Sequence, residues 1–500
     1  MWAQSNTYNS PPMSVVPLVS CWFLLISSGC SNLDCIHGGP DVFCASGWSC
    51  NPGTRRCEKN CEPADAGCVG GWQRQCAPRV PSWVSVPDSE ISSNEDPDSD
   101  TSCFCRKHSD CKSGLCDNYA TPGSMGKCEP LWFRVGSEGK RHVLYVNADR
   151  CIGGAGDGSP ERPYCKISQA LTRIELDGYS HPIRIMSSTS VYDGFVINSS
   201  SQSQLQIVGP DTETGTNDFQ GVRVNSPIAI DGQRFPSSGF VITTYGINIL
   251  NSVGAENAIR CTTVLNTVRM NLKRITIGST VPQISPIAGA AVFIKGCQFS
   301  MDRSAIINNS GRALFLQSED KNGDASTSFS ISNSIIANNH LLKNESSIDS
   351  VYACQSAVCL AGAGSFRYNT IANNGVMKED KMGIRCGGGN TKLIENSIII
   401  NNPPDRGQQF DYSSCSFSKV VVGSREMPPS GTTGLITQDP QFASTPQKLP
   451  SDYQLATGDT VARDKATRTE LISGEEDTQR WDFRGSVRPS DSSDIGALEK

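Results

Sequence analysis

Ser304-Ala-Ile-Ile-Asn308-Asn309, Ser334-Ile-Ile-Ala-Asn338-Asn339, Thr370-Ile-Ala-Asn373-Asn374 and Ser397-Ile-Ile-Ile-Asn401-Asn402 are copies of one short phrase, the third a residue shorter than the rest. Their starts lie 30, 36 and 27 residues apart, and Asn333, Asn369 and Asn396 precede the hydroxyl residue in three of them. Gly246-Ile-Asn-Ile-Leu-Asn251 and Leu272-Lys-Arg-Ile-Thr-Ile277 are weaker relatives. An apolar β pulse returning at such intervals marks a coil of parallel strands, because one turn cannot bury its apolar side alone. Stacking turns about 4.8 Å apart buries a continuous interior of Ile, Val and Leu. Unequal spacing follows if loops at one corner lengthen without disturbing the stack.

The asparagines repeat at one place in each turn. An amide side chain there can bond to its counterpart in the next turn, so a structural ladder is expected through Asn308, Asn338, Asn373 and Asn401. A leucine-rich solenoid is excluded by its missing Leu-x-x-Leu-x-Leu consensus, and a β-sandwich would not explain the phased repeat. The expected fold is all-β, a right-handed parallel β-helix over residues 143–435 with a short N-terminal capping helix.

Outward from this core, the N-terminal side changes texture. Of 22 cysteines, 12 lie between Cys35 and Cys128, in Gly-, Pro- and Asn-rich segments too short for a hydrophobic core. Paired Cys-x-x-Cys knuckles are missing and the spacings are irregular, so disulfides are expected in preference to zinc, and with them an oxidising compartment. Residues 31–80 and 103–130 read as two cysteine-rich modules joined by a linker at 81–102; six of the 13 positions from Asp88 to Asp100 are acidic. Val15–Ile26 is an apolar run too short to span a bilayer, followed by Ser27-Ser-Gly-Cys30. Residues 1–30 thus resemble a bacterial lipoprotein signal, which implies a lipid anchor on Cys30; 20 cysteines follow it and could pair among themselves. The expected location is an outer membrane or cell surface.

Tyr145-Val146-Asn147 reads as a short strand, followed by the glycine loop 153–158 and an amphipathic helix with Ile167, Ala170, Leu171 and Ile174 on one face. No Lys-Ser/Thr pair follows the loop, so it is a turn and not a phosphate cradle. Cys151 and Cys165 flank it and are expected to close it as a disulfide. The chain ends with Asp439-Pro-Gln-Phe442, Asp452-Tyr-Gln-Leu455, Asp482-Phe-Arg-Gly485 and Asp494-Ile-Gly-Ala-Leu-Glu499. This closing segment resembles that of β-helix surface proteins of the choice-of-anchor Q type, and the stretch from Tyr145 to Leu171 is similar to their N-terminal cap. The resemblance implies a fold and a surface location. Residues 436–500 are expected to cap the open end of the coil, where unpaired backbone would otherwise template aggregation.

Charge is nearly balanced, 44 Lys+Arg against 50 Asp+Glu, which argues against a nucleic-acid partner. The five histidines are scattered, and no metal or cofactor is expected. β-helices host polysaccharide lyases and hydrolases, which need clustered carboxylates or a basic residue beside bound calcium. The candidates are Asp302, Asp320, Asp324, Asp349 and Asp380, with Lys381 and Arg385 near the last. Asp320-Lys-Asn-Gly-Asp324 begins like a calcium loop but has Ile331 where the closing Glu belongs. Cys354-x4-Cys359 reads as a staple in a loop. The resulting expectation is a non-catalytic surface lipoprotein presenting its β-helix for glycan binding, adhesion or envelope structure. Its partners would be polysaccharides or cell-surface glycans. The alternative is a divergent lyase or glycoside hydrolase acting on an acidic polysaccharide.

Overall fold

The computed structural model describes strands Trp48–Asn51, Arg56–Lys59, Phe104–Cys105 and Gly126–Lys127. It then describes residues 143–500 apart from 152–155, 179, 187, 201, 211–221, 237–238, 251–256, 264–266, 279–289, 310, 318–326, 340–355, 375–382, 388–391, 401–413, 424–432, 445–446, 448, 467–481, 485–487, 489–492 and 500. Two compact units divide the chain, Met1–Arg74 and Gln75–Lys500. In the first, Trp48–Asn51 pairs antiparallel with Arg56–Lys59. The second contains the solenoid. Cys30 and most of the cysteine-rich region lie outside the described residues.

Three parallel sheets of seven, ten and nine strands form the walls of the coil. One turn shows how the sequence makes it. Ala290–Lys295 lies in the seven-stranded sheet, Gln298–Asp302 in the ten-stranded sheet and Ala305–Ile307 in the nine-stranded sheet. Gly296, Arg303 and Asn308 separate them at φ of 70°, 47° and 55°. A single left-handed residue swings the chain from one wall to the next, a conformation open to Gly and tolerated by Asn. The ten-to-nine corner repeats it at Gly246, Arg274, Arg303, Asn333, Tyr368, Asn396 and Lys419. Later turns stack in register, Ile306 over Ile336 over Ile371 over Ile399. All four are fully buried.

The corner after each nine-stranded rung corrects the expected ladder by one residue. Asn308, Asn338 and Asn373 supply the left-handed turn, at φ 55°, 55° and 54°. The amide chain runs through the following residues: Asn309 Nδ2 donates to Asn339 Oδ1 at 2.8 Å, and Asn339 Nδ2 to Asn374 Oδ1 at 2.8 Å. A residue at positive φ turns its side chain out of the coil, and the next one returns inward. Asn401 lies outside the described residues. A second ladder occupies the ten-to-nine corner, where the Ser304 backbone N–H donates to Ser334 Oγ, that of Ser334 to Asn369 Oδ1, and that of Asn369 to Ser397 Oγ.

The C-terminal segment also departs from expectation. Among the described residues it lies along the outer face of the nine-stranded sheet, on the flank of the coil. Side chains alternate along a strand, so while Ile306 and Ile336 point inward, Ala305, Ile307, Ile335, Ala337, Ile398 and Ile400 point out. These join Tyr453, Leu455, Phe483, Ile495, Ala497 and Leu498 in a second apolar cluster. Gly496 (φ 105°) donates its N–H to the Asn396 carbonyl, and a Cβ there would stand 2.7 Å from Ile398 Cδ1. Arg488 is the hub: its guanidinium lies 4.3 Å from the centre of the Tyr368 ring, 2.9 Å from Glu499 Oε2 and 2.8 Å from the Gly496 carbonyl.

At the other end, helix Ile167–Asp177 buries Ile167, Ala170 and Ile174 against the first turns and ends at Gly178 in the left-handed conformation. Cys151 is joined to Cys165, Cys261 to Cys297 and Cys386 to Cys415.

Candidate ligand-binding face

The seven-stranded sheet alternates most plainly. Ile259-Arg-Cys-Thr262, Val292-Phe-Ile-Lys295, Leu314-Phe-Leu-Gln317 and Ile384-Arg-Cys-Gly387 each send two apolar residues inward and two others outward. Parallel register then builds a column on the outer surface. Ala229, Arg260, Phe293, Phe315, Cys359 and Arg385 stand on successive rungs, with Ala229 and Cys359 buried. Beside them Asp231, Thr262, Lys295 and Gln317 form a second column.

Phe293 and Phe315 are half-buried, with ring centroids 5.5 Å apart and planes tilted by 52°. The Arg312 guanidinium carbon lies 5.4 Å from the Phe315 centroid, a cation–π contact that fixes the ring. Arg260 Nη2 is 2.6 Å from Asp231 Oδ2 across adjacent rungs. Arg260 and Arg385 are four rungs apart, roughly 19 Å at a 4.8 Å pitch. Among the described residues the face carries the side chains of Arg260, Lys295, Arg385 and Asp231, with the buried Arg312 beneath the Phe315 ring. Guanidinium groups suit carboxylates because two parallel N–H donors match two oxygens. The aromatic pair offers apolar surface between them.

The residues singled out from sequence fall differently. Arg385 stands on this face. Asp302 does not: it ends a strand of the ten-stranded sheet and is buried at its corner. There it accepts hydrogen bonds from Arg303 Nε at 2.7 Å, Ser332 Oγ at 2.8 Å and Asn333 Nδ2 at 3.1 Å. These donors hold it as a corner tie. Asp320, Asp324, Asp349, Asp380 and Lys381 lie outside the described residues, and Ile331 is an interior strand residue with no exposure. Cys359 is disulfide-bonded, while Cys354 falls outside the described residues. Among the described residues no three His, Cys, Asp or Glu side chains converge as a metal site. The aromatic pair was missed in the sequence because Phe293 and Phe315 are brought together only by the register of separate turns.

Fold and face together define a three-sheet parallel β-solenoid with an aromatic pair on the outer side of the seven-stranded sheet. No family model matches the chain and no curated protein does, so the choice-of-anchor Q resemblance rests on the residues quoted above. Among solved structures the chain is similar to the pectate lyase Pel9A, at 11% identity and a TM-score of 0.32, over 72% of this chain and 97% of that one. That likeness carries neither activity nor substrate to this chain.

Proposed function

We propose that the outer face of the seven-stranded sheet binds an extended acidic polysaccharide without cleaving it, on an exported chain held at a cell surface. The observation that carries this reading is the column Arg260–Phe293–Phe315–Arg385, flanked by Lys295. Cations spaced along a rigid ladder suit a polymer with a regularly repeated carboxylate, and the aromatic pair suits the apolar faces of its sugar rings. Export is supported by the disulfides among the described residues, since such bonds persist in oxidising compartments. Lipidation of Cys30 and a choice-of-anchor Q setting belong to the same proposal and rest on the sequence.

The test is binding of the oxidised full chain to polygalacturonate, with dextran as the neutral control. Polygalacturonate should bind, more weakly as salt rises. Arg385→Gln combined with Lys295→Gln should lower affinity about tenfold, a loss of about 1.4 kcal/mol. Equal retention on dextran, or unchanged affinity of the double variant, overturns the site. New reducing or unsaturated chain ends accumulating with time would overturn its non-catalytic character.

A further inference from the structure

Three carboxyl groups meet where the C-terminal segment crosses the corner before the nine-stranded sheet. Asp482, Asp494 and Glu499 are all buried, and so is Arg488. Glu499 Oε2 lies 2.9 Å from Arg488 Nη1. The Glu499 backbone N–H donates to Asp482 Oδ2 at 3.0 Å, and that of Asp494 donates to Glu499 Oε1 at 3.1 Å. Asp494 Oδ1 accepts the Asp464 N–H at 2.9 Å, while Asp494 Oδ2 is buried and meets no hydrogen-bond donor among the described residues. A buried carboxyl oxygen with no donor is costly in an anion and far less so in a neutral acid.

The described neighbours do not balance these acids. Arg463 and Asp464, on the segment itself, act on Asp494 in opposite senses. Arg484 is engaged by Gln454 Oε1 at 3.0 Å and by the Ser451 carbonyl. From the coil the group is faced by the Tyr368 ring and by Asn333, both against Arg488. The charged residues of that corner pair with each other, Arg303 with Asp302 at 2.7 Å and Arg367 with Glu395 at 2.8 Å. Among the described residues, three buried carboxyl groups are thus set around one buried guanidinium. Burial pushes Asp494 above the usual carboxylate range and Glu499 to about 7, against the pull of Arg488.

We propose that the strap carrying Asp494 and Glu499 is an acid-tightened latch, which grips the outer face of the nine-stranded sheet in acidic surroundings and lifts from it toward neutrality while the coil stays folded. Docked, the two side chains keep their protons; lifted, they reach water and release them. The sign follows from the raised docked values. Docking is strongest below pH 4.5, weakens by up to about tenfold per pH unit for each such carboxyl as pH rises to about 7, and for Glu499 is level beyond. The opening is local, because the coil strands are bonded rung to rung. The strap is tied to them by the N–H groups of Gly496 and Ala497, which donate to the Asn396 carbonyl and to Thr370 Oγ1. Lifting bares the outward row of Ala305, Ile307, Ile335, Ala337, Ile398 and Ile400.

Native-state amide exchange of the oxidised full chain, corrected for its intrinsic pH dependence, tests this. Between pH 4.5 and about 7, protection at Gly496 and Ala497 should fall by about tenfold or more. The Ile335 and Ile398 amides, bonded to the Ser304 and Asn369 carbonyls within the coil, should keep theirs. Glu499→Gln, neutral at every pH, should remove most of the fall. Strap protection that tracks the coil amides across the whole range overturns the proposal, and that comparison needs no variant. A fall undiminished in Glu499→Gln overturns it equally.

Discussion

Asn308 and Asn309 are neighbours with identical side chains, yet the backbone holds the first at φ 55° while the second bonds inward to the Ile277 and Ile307 carbonyls and to Asn339. Substitution separates the two roles. Asn308→Gly keeps the left-handed turn and should change stability by no more than about 0.5 kcal/mol. Asn339→Ala strips the ladder of its central member, leaving the Asn309 amide and the buried Ile306 and Ala337 carbonyls without that partner. It should cost about 3 kcal/mol in urea unfolding, since each orphaned buried group costs about 1–3. Similar losses at both positions would refute the division of labour. Glu499 makes a second residue-scale argument. Burial pushes its pKa up from 4.5 to about 7 even though Arg488 opposes the shift. Desolvation wins because that guanidinium is shared with the Tyr368 ring and backbone carbonyls, and Asp482 and Asp494 lie close. With the folded value raised, this group's stabilisation is complete below pH 4.5, declines as pH rises from there to about 7, and is level beyond. Glu499→Gln should remove that decline from a plot of unfolding midpoint against pH; an unchanged slope would place the proton elsewhere.

At the scale of elements, the nine-stranded sheet explains the tail. Ala305-Ile-Ile307, Ile335-Ile-Ala337 and Ile398-Ile-Ile400 are apolar at every position, the pattern of strands covered on both faces. A strand facing solvent on one side would alternate, as Ile384-Arg-Cys-Gly387 does. The cover was therefore legible in Ile-Ile-Ile, although nothing local names the segment that supplies it. Gly496 makes the contact possible, and Gly496→Ala should drive a methyl into Ile398 and Thr370 at a position whose φ of 105° already disfavours a side chain. Its expected signature is faster proteolysis between residues 440 and 500 with the coil intact; protection equal to the parent chain would exclude the strap. The coil was legible because the Ser-Ile-Ile-Ala-Asn-Asn phrase states a strand, its phase and its corner together. Gly246–Asn251 and Leu272–Ile277 belonged to it too, as strands Ile247–Leu250 and Thr276–Gly278. The ladder's phase was read one residue early, since adjacent asparagines look alike until φ distinguishes them. The binding face was less legible still. Phe293 and Phe315 lie in turns of unequal length, and only stacking sets Arg260, Phe293, Phe315 and Arg385 in line.

For the whole molecule, each turn contacts mainly the turns above and below, so stability is distributed along the axis and local damage should stay local. The disulfides test this, because two of them join different turns. Cys261 on strand Ile259–Thr262 meets Cys297 beyond the next rung, closing a separation of 36 residues, and Cys386 meets Cys415 across 29. Chain-entropy reasoning assigns each roughly 3.5–4 kcal/mol, through the restricted unfolded chain. Cys261 and Cys297 are both fully buried, so reductant should not reach their bond until the coil opens. Replacing Cys261 and Cys297 with Ser should therefore lower the unfolding midpoint without altering the folded strands. Amide exchange should quicken in rungs 228–302, while rungs 358–400, two and more turns away, keep their protection. If exchange quickened equally at both ends, the solenoid would be unfolding as one cooperative body. Turn-by-turn independence would then fail.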